Sequence, residues 1–406
     1  MREIGSTLAA PWTSAGRAVD EDLDKELETL NRQNRLRVTH AYDGQGRSQL
    51  VDGNQRELIS FCSNDYLGLA GHPALAAALA KTASQHGVGS GASRLVSGES
   101  PIHLALEARL AAFVGAPAAL LYPTGYLANL GVLTALARPE DLIVSDAANH
   151  ASIIDGCRLS RAHVTVYAHL DADAARSALA APGPYRRRLL VTESVFSMDG
   201  DRAPLPALAE SARSTGAILM VDEAHALGVS GPQGRGVCAA VGVKPDVLIG
   251  TLGKAFGTHG GFAAGSPSLR HYLINRARPF IYSTASPPPL AAATLTAVDL
   301  IAGHEGETLR AKAHSVAAYL RTTLAAAGVQ IPGEDLILPY VLGEDVAALE
   351  LAGRLRRQGF LVPAIRPPTV APGTARLRIT ATAAHTDGDA HALAAALNAA
   401  RVDRGL

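Results

Sequence analysis

Between residues 118 and 264 short apolar runs return again and again: 118–122, 142–145, 163–167, 189–193, 217–221, 247–250 and 261–264. Helix-length segments separate several of them, at 127–137, after Ala151, at 172–179 and at 205–214. A run of four or five residues that is apolar on both faces cannot sit against water, so it reads as a strand covered on both sides. The intervening helices supply that cover. The pattern therefore predicts a mostly parallel sheet wrapped by helices. In such a sheet ligands bind beyond the carboxyl ends of the strands, which makes the residues just after each run the ones to collect.

Those residues form a coherent set. After 118–122 come Thr124, Gly125 and Tyr126 at a helix start, read either as an ordinary N-cap or as a place where free N–H groups hold a phosphate. After 142–145 come Asn149 and His150, whose imidazole could stack on a flat cofactor, act as acid and base, or be structural. Glu193 ends the run at 189–193, and Ser197 follows it. Asp222 and His225 end the run at 217–221, and Thr251-Leu-Gly-Lys254 follows 247–250. A lysine delivered into a glycine-flanked turn suits a Schiff base, and a carboxylate opposite a pyridinium nitrogen makes the ring an electron sink. Other chemistries find less support. Gly87-Val-Gly-Ser-Gly91 lacks a preceding strand and the spacing of a dinucleotide site, no G-x-S-x-G elbow occurs, and no H-E-x-x-H supports a metal.

The chain has 406 residues, more than one core usually serves, so a large domain with a smaller companion is expected. Residues 1–60 read as a loose tail to about residue 20, a charged helix over 21–37, turn signals over 44–53 and a strand at 57–62. Residues 61–289 read as the large domain, ending at Ser286-Pro-Pro-Pro289. Residues 290–406 read as a smaller α+β domain, with helices at 309–327, 346–358 and after Asp387, and strands at 336–342, 360–363 and 376–380. Lys plus Arg equals Asp plus Glu at 37 each, so nothing points to nucleic acid or an anionic membrane. Cys62, Cys157 and Cys238 stand far apart, which argues against disulfides or zinc and fits a cytoplasmic setting. Neither a leader peptide nor an apolar span of eighteen residues is read.

With these stretches in hand, the chain resembles the α-oxoamine synthases, pyridoxal phosphate transferases of fold type I, the aspartate aminotransferase-like fold. The motifs that carry the resemblance are Ser63-Asn-Asp-Tyr-Leu-Gly-Leu69, Ser93-Arg-Leu-Val-Ser-Gly98, Asn149-His-Ala-Ser152, Ser194-Val-Phe-Ser-Met-Asp-Gly200, Val221-Asp-Glu-Ala-His225 and Thr251-Leu-Gly-Lys254. That family condenses an amino acid with an acyl-CoA and releases CO2. Ala364-Ile-Arg-Pro-Pro-Thr-Val370, followed by Gly373-Thr-Ala-Arg-Leu-Arg-Ile-Thr380, is most similar to the biotin-pathway branch that uses L-alanine and a pimeloyl thioester, on CoA or a carrier protein.

The resemblance implies a role for each matching residue. Lys254 would carry the cofactor as a Schiff base, Asp222 would pair with its ring nitrogen and His150 would stack on the ring. Ser197, His225 and Thr251 would hold its oxygen and phosphate groups, with Gly125 and Tyr126 beside them. Arg37, or Arg35 near it, would meet the acyl substrate, Thr369 the acyl chain, and Arg378 the amino acid carboxylate, with Asn64 and His150 also on the substrate side. A homodimer is implied, with Ser283 and Thr284 reaching the partner's phosphate. The rival expectations are a sibling that uses glycine or serine with another acyl-CoA, and a non-catalytic subunit of the same fold.

Overall fold

The computed structural model describes residues 17–44, 46 and 48–402. Most of the tail read over residues 1–20 lies outside the described residues. Three short strands come first, β1 (Tyr42–Asp43), β2 (Gln49–Asp52) and β3 (Glu57–Ser60). β3 falls within the strand expected at 57–62, whereas β2 occupies part of the stretch over 44–53 that carries only turn signals. The large sheet contains β4 (Ala118–Tyr122), β5 (Leu142–Asp146), β6 (His163–Tyr167), β7 (Arg188–Glu193), β8 (Ile218–Asp222), β9 (Val247–Thr251) and β10 (Gly261–Gly265). β11 (Ile337–Gly343), β12 (Phe360–Leu361), β13 (Ala364–Ile365) and β14 (Ala375–Thr380) complete the set.

The large sheet runs in the order β4-β10-β9-β8-β7-β5-β6. β10 pairs antiparallel with both β4 and β9, and the remaining pairs are parallel. The predicted mostly parallel sheet is therefore present, and the carboxyl ends of its parallel strands share one edge. Chain order reverses between β5 and β7: from β5 the chain steps outward to β6, then back across to β7. In open sheets of this kind the ligand crevice lies at such a point, beyond the strands' carboxyl ends. Every residue of β5 is buried, whereas four of the five in edge strand β6 are exposed. Apolar faces above and below the sheet pack into clusters that include Phe61, Phe256 and Phe262 on one side and Leu120, Val132 and Ile249 on another. Each such side chain contributes roughly 1.5–3 kcal/mol by leaving water.

Two smaller sheets flank this frame, β1-β2-β3-β12 and β11-β14-β13. The strand expected over 360–363 is shortened to β12 at 360–361, and β13 follows at 364–365 in the other small sheet; between them Pro363 has no N–H to donate, and its carbonyl accepts from the Arg378 amide at 3.1 Å. The first helix also differs from expectation. It spans Arg17–Arg32 and stops because Asn34 takes a left-handed conformation with φ 56, leaving Arg35 and Arg37 on the chain beyond it. Val19, Leu23, Leu27 and Leu30 form one exposed stripe along that helix. The alanine-rich helix Pro73–His86 has no counterpart in the sequence pattern; it is marked only by Pro73 at its first turn and the His72 side chain, which accepts from the Ala74 amide.

The loop after β7 is clasped from the small sheet. Arg202 reaches Asp335 through Nε at 2.6 Å and Nη2 at 3.0 Å, and Arg376 pairs with Asp199 and the Met198 carbonyl. Gly200 closes the loop with φ 67, and a Cβ there would come 2.5 Å from the Ile337 carbonyl oxygen, so glycine alone fits.

Candidate active site

The crevice brings together side chains that lie far apart in sequence. Asp222 ends β8, and β9, parallel to it, delivers Lys254 from the turn that follows Thr251. Asp222 Oδ2 accepts from Asn129 Nδ2 at 2.7 Å and Oδ1 accepts from the Ala224 amide at 2.8 Å, which fixes the carboxylate plane. Lys254 Nζ lies 2.7 Å from His225 Nε2. Burial pushes the Lys254 amine down to about 8, against the opposing pull of Asp222 and Glu193. An amine so poised is a nucleophile near neutral pH, with roughly one-tenth in the free-base form at pH 7. His225 is held well below its usual range by burial, then by the charges of Lys254 and Arg378.

Across the crevice stands His150, which caps the helix Ala151–Ser160 by accepting from the Ser152 amide at 3.2 Å. Its own amide donates to Glu193 Oε1 at 2.6 Å. Glu193 is buried, and desolvation with the neighbouring Asp222 charge raises its carboxyl well above the usual range. Asn149 ties the same two strands by donating to the Ser145 hydroxyl and the Val191 carbonyl, each at 2.9 Å. His150 is an exposed residue, and its Nδ1 is engaged with Ser152.

A third wall is the start of the helix Gly125–Leu136, whose N-cap Thr124 accepts from the Leu127 amide at 3.1 Å. Gly125 lies hard against Thr251: a Cβ at this position would meet Thr251 Cβ at 3.2 Å and Oγ1 at 3.3 Å. The backbone N–H groups here can approach a bound anion without a side chain intervening. Tyr126 stands edge-on to His150 with ring centroids 6.3 Å apart, and its hydroxyl donates to Asp155.

From the small sheet, Arg378 on β14 enters the crevice. Its Nε donates to the Ser197 carbonyl at 2.6 Å, and its Nη1 to Asn64 Oδ1 at 3.2 Å and Thr380 Oγ1 at 3.1 Å. Ser197 thus meets Arg378 through its backbone. Arg37 and Thr369 form a separate pair, with Nη2 3.4 Å from the threonine hydroxyl. Arg35 instead approaches Gln33 at 3.4 Å. Ser283 and Thr284 lie elsewhere: Thr284 bridges Ser93, and both line a small recess with Arg94, His103 and Phe280. Two residues at the site escaped the sequence reading. Asn129 sits one helical turn after Gly125, a spacing that marks it as a neighbour of the site, and Tyr66 lies inside the Ser63–Leu69 motif, which gives it no role of its own.

The model for aminotransferase class I and II matches residues 56–397. The chain belongs to this family. Within it, an 8-amino-7-oxononanoate synthase from Anaeromyxobacter sp. (strain K) is 48% identical over 379 residues, 92% of this chain and 94% of that protein. The protein of the same name from Methylococcus capsulatus (strain Bath) is 50% identical over 354 residues, 86% and 90% of the two chains. Among solved structures, serine palmitoyltransferase from S. paucimobilis with bound PLP–myriocin aldimine shares a TM-score of 0.89 at 28% identity, covering 96% of this chain and 98% of that one. The 8-amino-7-oxononanoate synthase from Francisella tularensis gives 0.74 at 27%, covering 86% and 98%. The expected aminotransferase-like fold and the resemblance to α-oxoamine synthases both hold.

Pyridoxal phosphate fits the residues that this family member presents. Gly125 against Thr251 forms a cradle that a Cβ would crowd, an amine of lowered proton affinity faces it, and a fixed carboxylate lies alongside. Among the described residues no group of His, Cys, Asp and Glu could hold a metal, and no helix is long and apolar enough to cross a membrane.

Proposed function

We propose that this protein is a pyridoxal phosphate-dependent acyltransferase that condenses L-alanine with a pimeloyl thioester. The products are 8-amino-7-oxononanoate, CO2 and the free thiol, in biotin biosynthesis. What carries the reading is the meeting of Lys254, Asp222, His225 and Arg378 in one crevice, in a chain about half identical to 8-amino-7-oxononanoate synthases over most of its length. Mass measurement of the products formed by purified protein from alanine, glycine or serine with several acyl-CoAs tests it. Glycine with acetyl- or succinyl-CoA as the best pair would overturn the substrate assignment and leave the family intact.

When bound, pyridoxal phosphate supplies an aldehyde for an amine and a ring that stores the electron pair left as a bond to the substrate α-carbon breaks. Lys254 would hold the cofactor and would take the substrate α-proton at Nζ. Asp222 would keep the ring nitrogen protonated, His150 would stack on the ring, and Ser197, His225 and Thr251 would hold the cofactor's oxygen and phosphate groups, with Gly125 and Tyr126 beside them. Arg378 and Asn64 receive the alanine carboxylate, which later leaves as CO2, while Arg37 and Thr369 receive the acyl chain. Residues 61–289 provide the cofactor side of the crevice and 290–406 the small domain.

Arg378→Lys should raise KM for L-alanine by about tenfold to a hundredfold, since a charged hydrogen-bond pair is worth roughly 1.5–3 kcal/mol and lysine cannot keep three fixed donors. Unchanged KM would remove Arg378 from the carboxylate. Arg37→Ala should penalise pimeloyl-CoA more than its methyl ester or octanoyl-CoA, because a carboxylate left unpaired in a partly buried site loses hydration without replacement. An equal loss of kcat/KM for all three would refute that contact.

The working form in this reading is a cytoplasmic homodimer, with Ser283 and Thr284 reaching the partner's phosphate. The exposed stripe of Val19, Leu23, Leu27 and Leu30, and Tyr282 at 70% exposure, are surfaces a second copy would cover. An active monomer by light scattering, or full cofactor affinity in a Ser283→Ala/Thr284→Ala variant, would count against it. The carrier-protein form of the thioester is open to the same product assay.

A further inference from the structure

Tyr66 has no part in the roles above, yet it touches one of the residues that fills them. Its ring is 1% exposed within the core cluster that holds Phe61 and Leu67, and its carbonyl accepts from the Ala383 amide at 2.8 Å. The phenol is therefore aimed by the fold. Its oxygen lies 2.6 Å from His225 Nδ1, while the other ring nitrogen, Nε2, is 2.7 Å from Lys254 Nζ. Asn64 Oδ1 stands 3.4 Å from the phenol and already accepts from Arg378 Nη1 at 3.2 Å.

A neutral imidazole places one proton on one of two nitrogens, and its partners decide which. Burial and the charges of Lys254 and Arg378 keep His225 neutral, and burial pushes the Tyr66 phenol up to about 12, so the phenol keeps its proton. Of the two acceptors in reach, Nδ1 is nearer by most of an ångström and faces no competing donor from Arg378. With Nδ1 accepting, the imidazole proton stands on Nε2, toward Lys254.

We propose that Tyr66 is a positioning residue that sets the tautomer and ring angle of His225, so that Nε2–H points at the Lys254 amine. This rests on the pyridoxal phosphate reading above but not on which acyl donor is used. An Nε2–H donor favours whichever partner has lost its proton, so freeing the ring should favour the protonated partner.

The test is a pH titration of the cofactor's absorbance band in the holoenzyme without substrates. The other groups acting on His225 and Lys254 are Asp222 from β8, Glu193 from β7, His150 beyond β5 and Arg378 from β14, and all are unchanged in Tyr66→Phe. The midpoint should rise by about half to one pH unit in that variant. It should fall below wild type when 3-fluorotyrosine, a stronger donor of the same shape, replaces Tyr66 alone. The second replacement decides the matter if Tyr66→Phe fails to fold. Titrations that superimpose on wild type would overturn the proposal and leave the cofactor reading standing. A protein that shows no cofactor band at any pH would overturn both.

Discussion

Lys254→Ala is expected to abolish turnover and the covalent capture of the cofactor while the fold survives. Lys254 lies in a turn after β9 and is only partly buried; its amine meets His225, so alanine removes an interaction without opening the core. Two functions are lost together. Positioned proton transfer alone is worth on the order of 10²–10⁴-fold, and loss of the anchoring amine compounds it, so activity should fall by about 10⁴-fold or more. Borohydride reduction of the wild-type holoenzyme followed by peptide mapping should place the cofactor on Lys254. Label on Lys25, Lys81, Lys244 or Lys312 would overturn the assignment, as would a variant that still turns over.

Asp222→Asn should retain the cofactor yet slow α-proton exchange on the order of 10³-fold, because a neutral amide cannot hold the ring proton against developing negative charge. The structure makes this a clean removal of charge. An amide at position 222 can still accept from the Ala224 amide, and its NH2 can donate to Asn129 Oδ1, a buried atom that has no other partner. Asn129 needs only to turn its amide, with the Ser152 hydroxyl as its other contact. Deuterium uptake at the alanine α-carbon measures the effect without acyl donor. Wild-type exchange rates would remove the electron-sink role.

Much of the frame was legible because buried strands must be short, apolar and interrupted: 118–122 matches β4 residue for residue, and 163–167 matches β6 although, at the sheet edge, it leaves four of its five residues exposed rather than covered on both sides. Lys254, Asp222 and His150 were legible for the same reason, as polar residues standing at strand ends. The misses have physical causes. Alanine sustains a helix without an amphipathic stripe, so Pro73–His86 offered no period to read. The end of the first helix was set by one left-handed residue, Asn34, against a charge pattern that continued. Tyr66 with His225, and Asn129 with Asp222, are pairs 159 and 93 residues apart; such contacts exist only once the sheet has assembled.

Arg376 and Arg378 are two residues apart on β14 and so face the same way, one gripping Met198 and Asp199, the other the Ser197 carbonyl. The arginine proposed for the alanine carboxylate is thus aligned by a loop from the opposite sheet. That makes residues 197–202 and 335–378 one inheritance unit. A chimera that exchanges the C-terminal segment between relatives, and leaves the loop behind, will splice together two half-clasps never selected for each other. The breeder of new substrate preferences should move both pieces at once.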